Sequence, residues 1–248
     1  MKLLYTIFFI LYVFMYQSFA QDSLFISNKK NTIRWDPTPM FLVGPKSVVL
    51  GYERIISPFQ SASINIGTLV KKPFTDEYGN TIHLLDESHT GGMLLSLDYR
   101  FYFKKRNKKP APDGIYWGPY FSYYNIWFEG KSEILKNGIS VNTVYIDADL
   151  KMINLGMQLG YQFVIKDRFT IDLILMGPSY SFYSAKIKFA ADIQLNEDSE
   201  FYEDIKKLLA SIAPGLNTIL DEQSLDSSGR LKFGYYGFRY FVQFGYLF

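Results

Sequence analysis

The sequence predicts an all-β protein: an eight-stranded antiparallel transmembrane β-barrel with one amphipathic helix in the last extracellular loop. Three observations predict it. The first is the stretch 233–248, where Tyr236, Phe238, Tyr240, Val242, Phe244, Tyr246 and Phe248 alternate with Gly237, Arg239, Phe241, Gln243, Gly245 and Leu247. A period of two is a strand with one row on each face. One row is aromatic and apolar up to the last residue, as in the closing strands of outer-membrane barrels, where lipid takes the place of a core. The second is composition: 18% of the residues are aromatic, with 20 Tyr and 22 Phe, which suits the girdles such barrels set at the two interfaces. The third is that no internal run is long and apolar enough to cross a bilayer as a helix, while mean hydropathy is near zero. A soluble β-barrel obeys the same alternation and is the competing fold.

Residues 1–20 read as a secretory signal. Lys2 is the positive n-region, Leu3 to Phe14 an unbroken apolar h-region, and Ser18-Phe19-Ala20 a small-residue cleavage site. Cleavage near Ala20 leaves residues 21–30 as a short polar lead-in to a barrel over 31–248. A formal charge of +2 is too small to imply nucleic acid. The absence of cysteine excludes disulfides, a lipidated cysteine anchor and thiolate metal or redox sites.

Eight strands follow in order. The first is expected over 31–43, with Pro37 and Pro39 placed where the ladder is weak, because proline has no N–H to donate. Gly44-Pro45-Lys46 turns the chain. The second strand is expected over 47–56, and the third from Ala62 to about Phe74 after the turn Ser57 to Gln60. Tyr78-Gly79-Asn80 marks a reversal into a fourth strand, which ends at Phe103 with Leu95, Leu97, Tyr99 and Phe101 opposite Ser96, Asp98, Arg100 and Tyr102. Lys104 to Gly114 is basic, proline-containing and read as a turn. The fifth strand starts at Ile115, and Asn137-Gly138 returns it as a two-residue hairpin. The sixth strand reaches Val164, with Ile153 to Phe163 on one face and Asn154, Gly156, Gln158, Gly160 and Gln162 on the other. Lys166-Asp167-Arg168 turns into the seventh, 169–189, and the eighth closes the chain.

An even strand count and a secreted N-terminus place both termini in the periplasm of the cell outer membrane, so the longer connections face outward. The basic run Lys104 to Lys109 then lies on the periplasmic side, as a solvated turn or as an attractor of anionic headgroups. The last outward connection holds the helix, 197–213. Phe201, Ile205, Leu208, Leu209 and Ile212 form its apolar face, acidic residues fill its first turn, and Pro214-Gly215 ends it. That face caps the barrel mouth, docks another envelope protein, or lies on outer-membrane lipid.

Several stretches resemble an uncharacterised family of small outer-membrane β-barrel domains common in Bacteroidota. They are Val49 to Arg54, Tyr99 to Phe103, Ala111 to Tyr120, Gly160 to Phe163 and Phe169 to Leu173. The resemblance spans about residues 31–248. It implies an eight-stranded barrel and an outer-membrane address. It implies no activity, catalytic residue or cofactor.

The inward rows hold Arg34, Asp36, Glu53, Asp98, Arg100, Asp172 and Arg239. An eight-stranded barrel is just wide enough for side chains to fill, so charges inside must pair or stay wet. They are expected to form a salt-bridged plug with Glu53 and either Arg100 or Arg239 at its centre; a narrow ion path is the alternative. Catalysis by the two histidines, His83 and His89, with Asp86 and Ser88 is disfavoured, because sequence neighbours on a strand point to opposite faces. Their spacing matches no standard metal pattern. The reading is therefore a non-enzymatic barrel with no metal and no cofactor, its role structural or partner-binding; a small-solute channel or a lipid-modifying enzyme are the alternatives.

Overall fold

Alternating apolar and polar residues hold each strand flat to its neighbours only if one face finds an apolar surround and the other a polar one. In the computed structural model this alternation closes a ring. The structure describes residues 29–70, 77–78, 82–84, 89–107, 109–136, 139–189, 203–204, 207 and 229–248. The strands are β1 (Asn31–Asp36), β2 (Val48–Ser57), β3 (Gln60–Val70), β4 (Glu77–Tyr78), β5 (Ile82–Leu84), β6 (His89–Tyr102), β7 (Gly114–Lys136), β8 (Ile139–Ile165), β9 (Phe169–Phe189) and β10 (Arg230–Leu247). Eight of them form the antiparallel ring β1-β2-β3-β6-β7-β8-β9-β10, closed where β10 pairs with β1. The predicted signal segment lies outside the described residues.

Closure is sealed by main-chain bonds where the first and last strands of the ring meet. Phe248 accepts from the N–H groups of Lys30 and Asn31 at 3.1 and 3.0 Å and donates to the Asn31 carbonyl at 2.7 Å. The two ends therefore meet on the side of the ring that also holds the short turns β2–β3, β6–β7 and β8–β9.

The wall is uneven. β7, β8, β9 and β10 have 23, 27, 21 and 18 residues. β1, β2 and β3 have 6, 10 and 11. The first strand is shorter than expected: it ends at Asp36, not at residue 43. Its prolines serve a short helix instead, α1 (Thr38–Leu42), with proline in the first turn, where the missing N–H has no helical partner to lose. The third strand is described as far as Val70, and the residues over which it was expected to reach Phe74 lie outside the described ones; the small strands β4 and β5 extend the sheet by pairing β5 with β7 at Ile82↔Ile134.

Outward side chains form an exposed apolar band. It includes Leu155 (52% exposed), Met157 (42%), Phe182 (49%), Phe238 (58%) and Phe244 (44%). The register shifts between Leu159 and Gly160 against β9, and Leu175 and Met176 both point outward there. Such a bulge adds one residue to one strand without turning over the rest.

On the tall strands the sense of the alternation inverts. Phe128, Ile146, Ala148, Leu150, Ala185, Ile187 and Leu231 continue the inward rows of β7 to β10, and all are buried and apolar. Their outward neighbours are Asp147, Asp149, Lys151, Lys186, Lys188, Arg230 and Lys232. Below this level the outside is greasy and the inside polar; above it the outside is charged and the inside greasy.

Candidate functional site: a buried ionic network

The inward rows meet in a layer close to the short-turn end. Arg100 of β6 is its hub. Its Nε lies 2.6 Å from Asp98 Oδ1, and its Nη1 lies 2.6 Å from Asp172 Oδ2 and 3.5 Å from Glu53 Oε1. Nη1 also donates to Gln162 Oε1 at 3.0 Å. Arg34 of β1 faces the other side of the same carboxylates, 3.1 Å from Asp172 and 3.9 Å from Glu53. All five charged side chains are fully buried. Each carboxylate or arginine comes from a different strand except Asp98 and Arg100, so ring closure is what brings the set together.

Neutral side chains complete the layer. Gln162 donates through Nε2 to Glu53 Oε2 at 3.0 Å and accepts from Tyr102 OH at 2.9 Å. Ser61 donates to Glu53 at 2.6 Å, Ser63 to Asp98 at 2.5 Å and Tyr116 OH to Asp172 at 2.6 Å. The Arg100 guanidinium lies 4.5 Å from the centre of the Tyr116 ring. That ring covers Gly160, its register partner on β8, where an added Cβ would sit 2.5 Å from it. Glycine is thus needed at 160 to let the ring reach the cluster.

Of the seven charges predicted for the interior, five meet here. Arg239 does not join an ion pair in the described network. It lies flat on Tyr120, 3.3 Å from the ring centre, and donates to Gln158 Oε1 at 2.5 Å and to Ser96 at 3.2 Å. Gln158 in turn donates to Asp98 at 3.2 Å, so an amide relays Arg239 to the cluster. The central partner of Glu53 is thus Arg100, and the expected alternative, Arg239, stands one layer away. Asp36 is also displaced: at the strand end its carboxylate accepts the Thr38 N–H at 2.9 Å, a turn interaction that releases the chain from β1. With Ser61 on β3, Gln162 on β8 and Arg239 on β10, every strand of the ring reaches this one hydrogen-bonded network. The neutral members Tyr102, Tyr116, Gln158 and Gln162 were missed as site residues. Their only sequence signal is a polar group in an inward row.

Beneath the network, the segment after β6 folds back into the end of the ring. Ala111 donates its N–H to the Pro58 carbonyl at 2.7 Å, and its side chain packs with Tyr102, Tyr116 and Ile174, flanked by Ile55, Phe59 and Phe241. The basic residues Lys104, Lys105 and Arg106 stay exposed at the tip.

His89 opens β6 opposite Glu129, and His83 pairs through its backbone with Glu77 and Glu133. Asp86 and Ser88 lie outside the described residues. Among the described residues no three of His, Cys, Asp and Glu are placed to hold a metal. Of the predicted loop helix, Glu203, Asp204 and Lys207 are described; all are helical, with Asp204 buried and 2.9 Å from Lys207. Its apolar face, Phe201, Ile205, Leu208, Leu209 and Ile212, lies outside the described residues.

No family model matches the chain. No curated protein matches it either, so the family resemblance rests on the quoted motifs alone. Among solved structures it is similar to a major outer membrane protein from Thermus thermophilus, at 10% identity and a TM-score of 0.38 over 90% of this chain and 100% of that one. It is also similar to Acinetobacter baumannii CarO, at 10% identity and a TM-score of 0.42 over 92% of this chain and 100% of that one.

Proposed function

We propose that this chain is an outer-membrane barrel with a filled, non-conducting lumen, whose role is structural or partner-binding through its outward hairpins and loop helix. The observation that supports it is the buried network around Arg100: side chains from the whole ring bond to one another across the interior, with Ala111 packed beneath them. A hydrated path needs polar groups that face water, whereas these face each other. The exposed apolar band is the other support, because a bilayer asks for apolar side chains on the outside of the ring and closure of every sheet edge within it. The termini and short turns then lie in the periplasm, and the charged upper walls of β7 to β10 stand outside the cell.

The network also sets register. A slip of one residue would expose each charge to acyl chains, and a slip of two would break every cross-ring bond. Recording single channels in planar bilayers tests the proposal. The intact chain is expected to pass almost no current in molar salt. Steady ohmic conductance from the folded protein would sink the filled-lumen reading and favour a narrow channel.

A further inference from the structure

The outward face of β8, β9 and β10 just above the apolar band holds a cation cluster separate from the buried network. Register lines the side chains up in rows. Ile153, Phe182 and Gly234 form the top row of the band. Above it stand Lys151, Ser184 and Lys232, and above those Asp149, Lys186 and Arg230. Lys186 directly opposes Arg230, and like charges so placed repel. Lys151 and Lys232 flank Ser184 at two strand spacings, about 10 Å, which their long side chains can close around a common anion. Of the acidic neighbours, Asp149 is 3.5 Å from Lys151 and Asp147 is 3.5 Å from Lys188. Among the described residues the lining holds five cations and two carboxylates.

Two open hollows adjoin on this face and share Lys151, Ser184 and Lys232. The upper, of about 420 Å³, is lined by the charged residues. The lower, of about 400 Å³, also takes in the outward side chains Ile153 and Phe182, with Tyr183 and Phe233 of the inward rows behind them. A cationic hollow directly above an apolar one matches a molecule with an anionic head and acyl tails.

We infer that this face binds a phosphorylated acyl-glycolipid of the outer leaflet, its phosphate held among Lys151, Lys186, Arg230 and Lys232 and its acyl chains lying along Ile153 and Phe182. The inference rests on the orientation proposed above. It follows from charge complementarity, from the position of the cluster where the alternation inverts, and from the continuity of the two hollows.

The test uses the full chain refolded in detergent. Binding of diphosphoryl lipid A, of the same lipid without its phosphates, of phosphatidylglycerol and of inorganic phosphate is measured by native mass spectrometry. Diphosphoryl lipid A is expected to bind at least tenfold more tightly than the dephosphorylated form. Replacing Lys151, Lys186 and Lys232 together with Gln should erase that difference while leaving the unfolding temperature unchanged. Equal binding of the two lipids, or no effect of the triple replacement, would overturn the inference. So would equal affinity for phosphatidylglycerol, complete displacement by millimolar phosphate, or the same loss from replacing Lys104, Lys105 and Arg106 with Gln at the opposite end. The chain has no cysteine, so Tyr145→Cys, exposed on β8 above the patch and outside its lining, is a unique label site. Modification of that variant by an impermeant maleimide on intact cells, with no lipid preference in vitro, sinks the inference and leaves the orientation standing. Absence of modification sinks the orientation, and the glycolipid assignment with it.

Discussion

Arg100 gathers three carboxylates and an amide around one planar guanidinium. Lysine in its place has a single compact charge and cannot fork between Asp98 and Asp172. Arg100→Met is expected to lower stability by about 3–5 kcal/mol, because it strands three buried anions with Arg34 alone. Arg100→Lys should recover only part of that loss. Urea unfolding in lipid vesicles measures both, and wild-type stability in Arg100→Met would show that the cluster contributes nothing. Glu53→Ala should also lower the unfolding temperature, since it removes the acceptor of Ser61, Gln162 and Arg100 and an ion-pair partner of Arg34. At this scale the charged residues were legible from strand parity alone. What parity cannot report is height along the barrel axis. Arg239 shares a face with Arg100 but sits a layer away, and Asp36 sits at a strand end where its carboxylate serves the turn. Gln162 was legible only as an inward polar residue, although it bonds to both signs of charge.

At the scale of elements, the inversion on β8 and β9 makes a position-dependent prediction. Met157 points outward in the middle of the apolar band, and Asp147 points the same way above it. Met157→Arg is expected to cost about 2–4 kcal/mol, the range for arginine facing lipid near the bilayer midplane. Asp147→Arg should cost under about 1 kcal/mol. Equal costs in vesicle unfolding would place the bilayer elsewhere. The β8–β9 turn offers a second test. Lys166 and Asp167 both have positive φ, 51° and 53°, and Arg168 donates its N–H to the Ile165 carbonyl at 3.2 Å. Such a turn favours Asn-Gly. Replacing Lys166 and Asp167 with Asn and Gly is expected to raise stability by about 1–2 kcal/mol, the order of the left-handed strain relieved; an unchanged midpoint would show the turn is unstrained. Most strands were legible because alternation over ten or more residues leaves little choice. The end of β1 was not, because Pro37 and Pro39 fit a weak strand and a helix start equally well in sequence, and only the Asp36–Thr38 turn decides between them. The bulge at Leu175 and Met176 left no mark either, since both residues are apolar.

For the whole molecule, the connection between β9 and β10 is where structural and partner-binding roles separate. Removing residues 197–223 is expected to leave a barrel that still shows heat-dependent migration in SDS gels, because the ring and its network lie outside that segment. A partner that co-purifies from outer membranes with the intact chain and is absent with the deletion would assign the loop a docking role. Failure of the shortened chain to fold would assign it a role in completing the barrel. Ring closure was legible because the strand count was even and the last strand aromatic. The tall strands β7 to β9 were legible too, from the spacing of the turns at 104–114, 137–138 and 166–168; the early end of β1 was not.

The inversion of the alternation also fixes how the molecule floats. A uniformly greasy cylinder can bob along the membrane normal at little cost, and its hairpins can slide past one another in steps of two residues. Here, sinking by one such step draws Lys151 and Lys232 toward the hydrocarbon, and rising by one lifts Ile153 and Phe182 into water. In the orientation proposed above either displacement is penalised, so this three-strand face is expected to set the depth of the barrel, with a bilayer of another thickness adjusting around it at a modest cost.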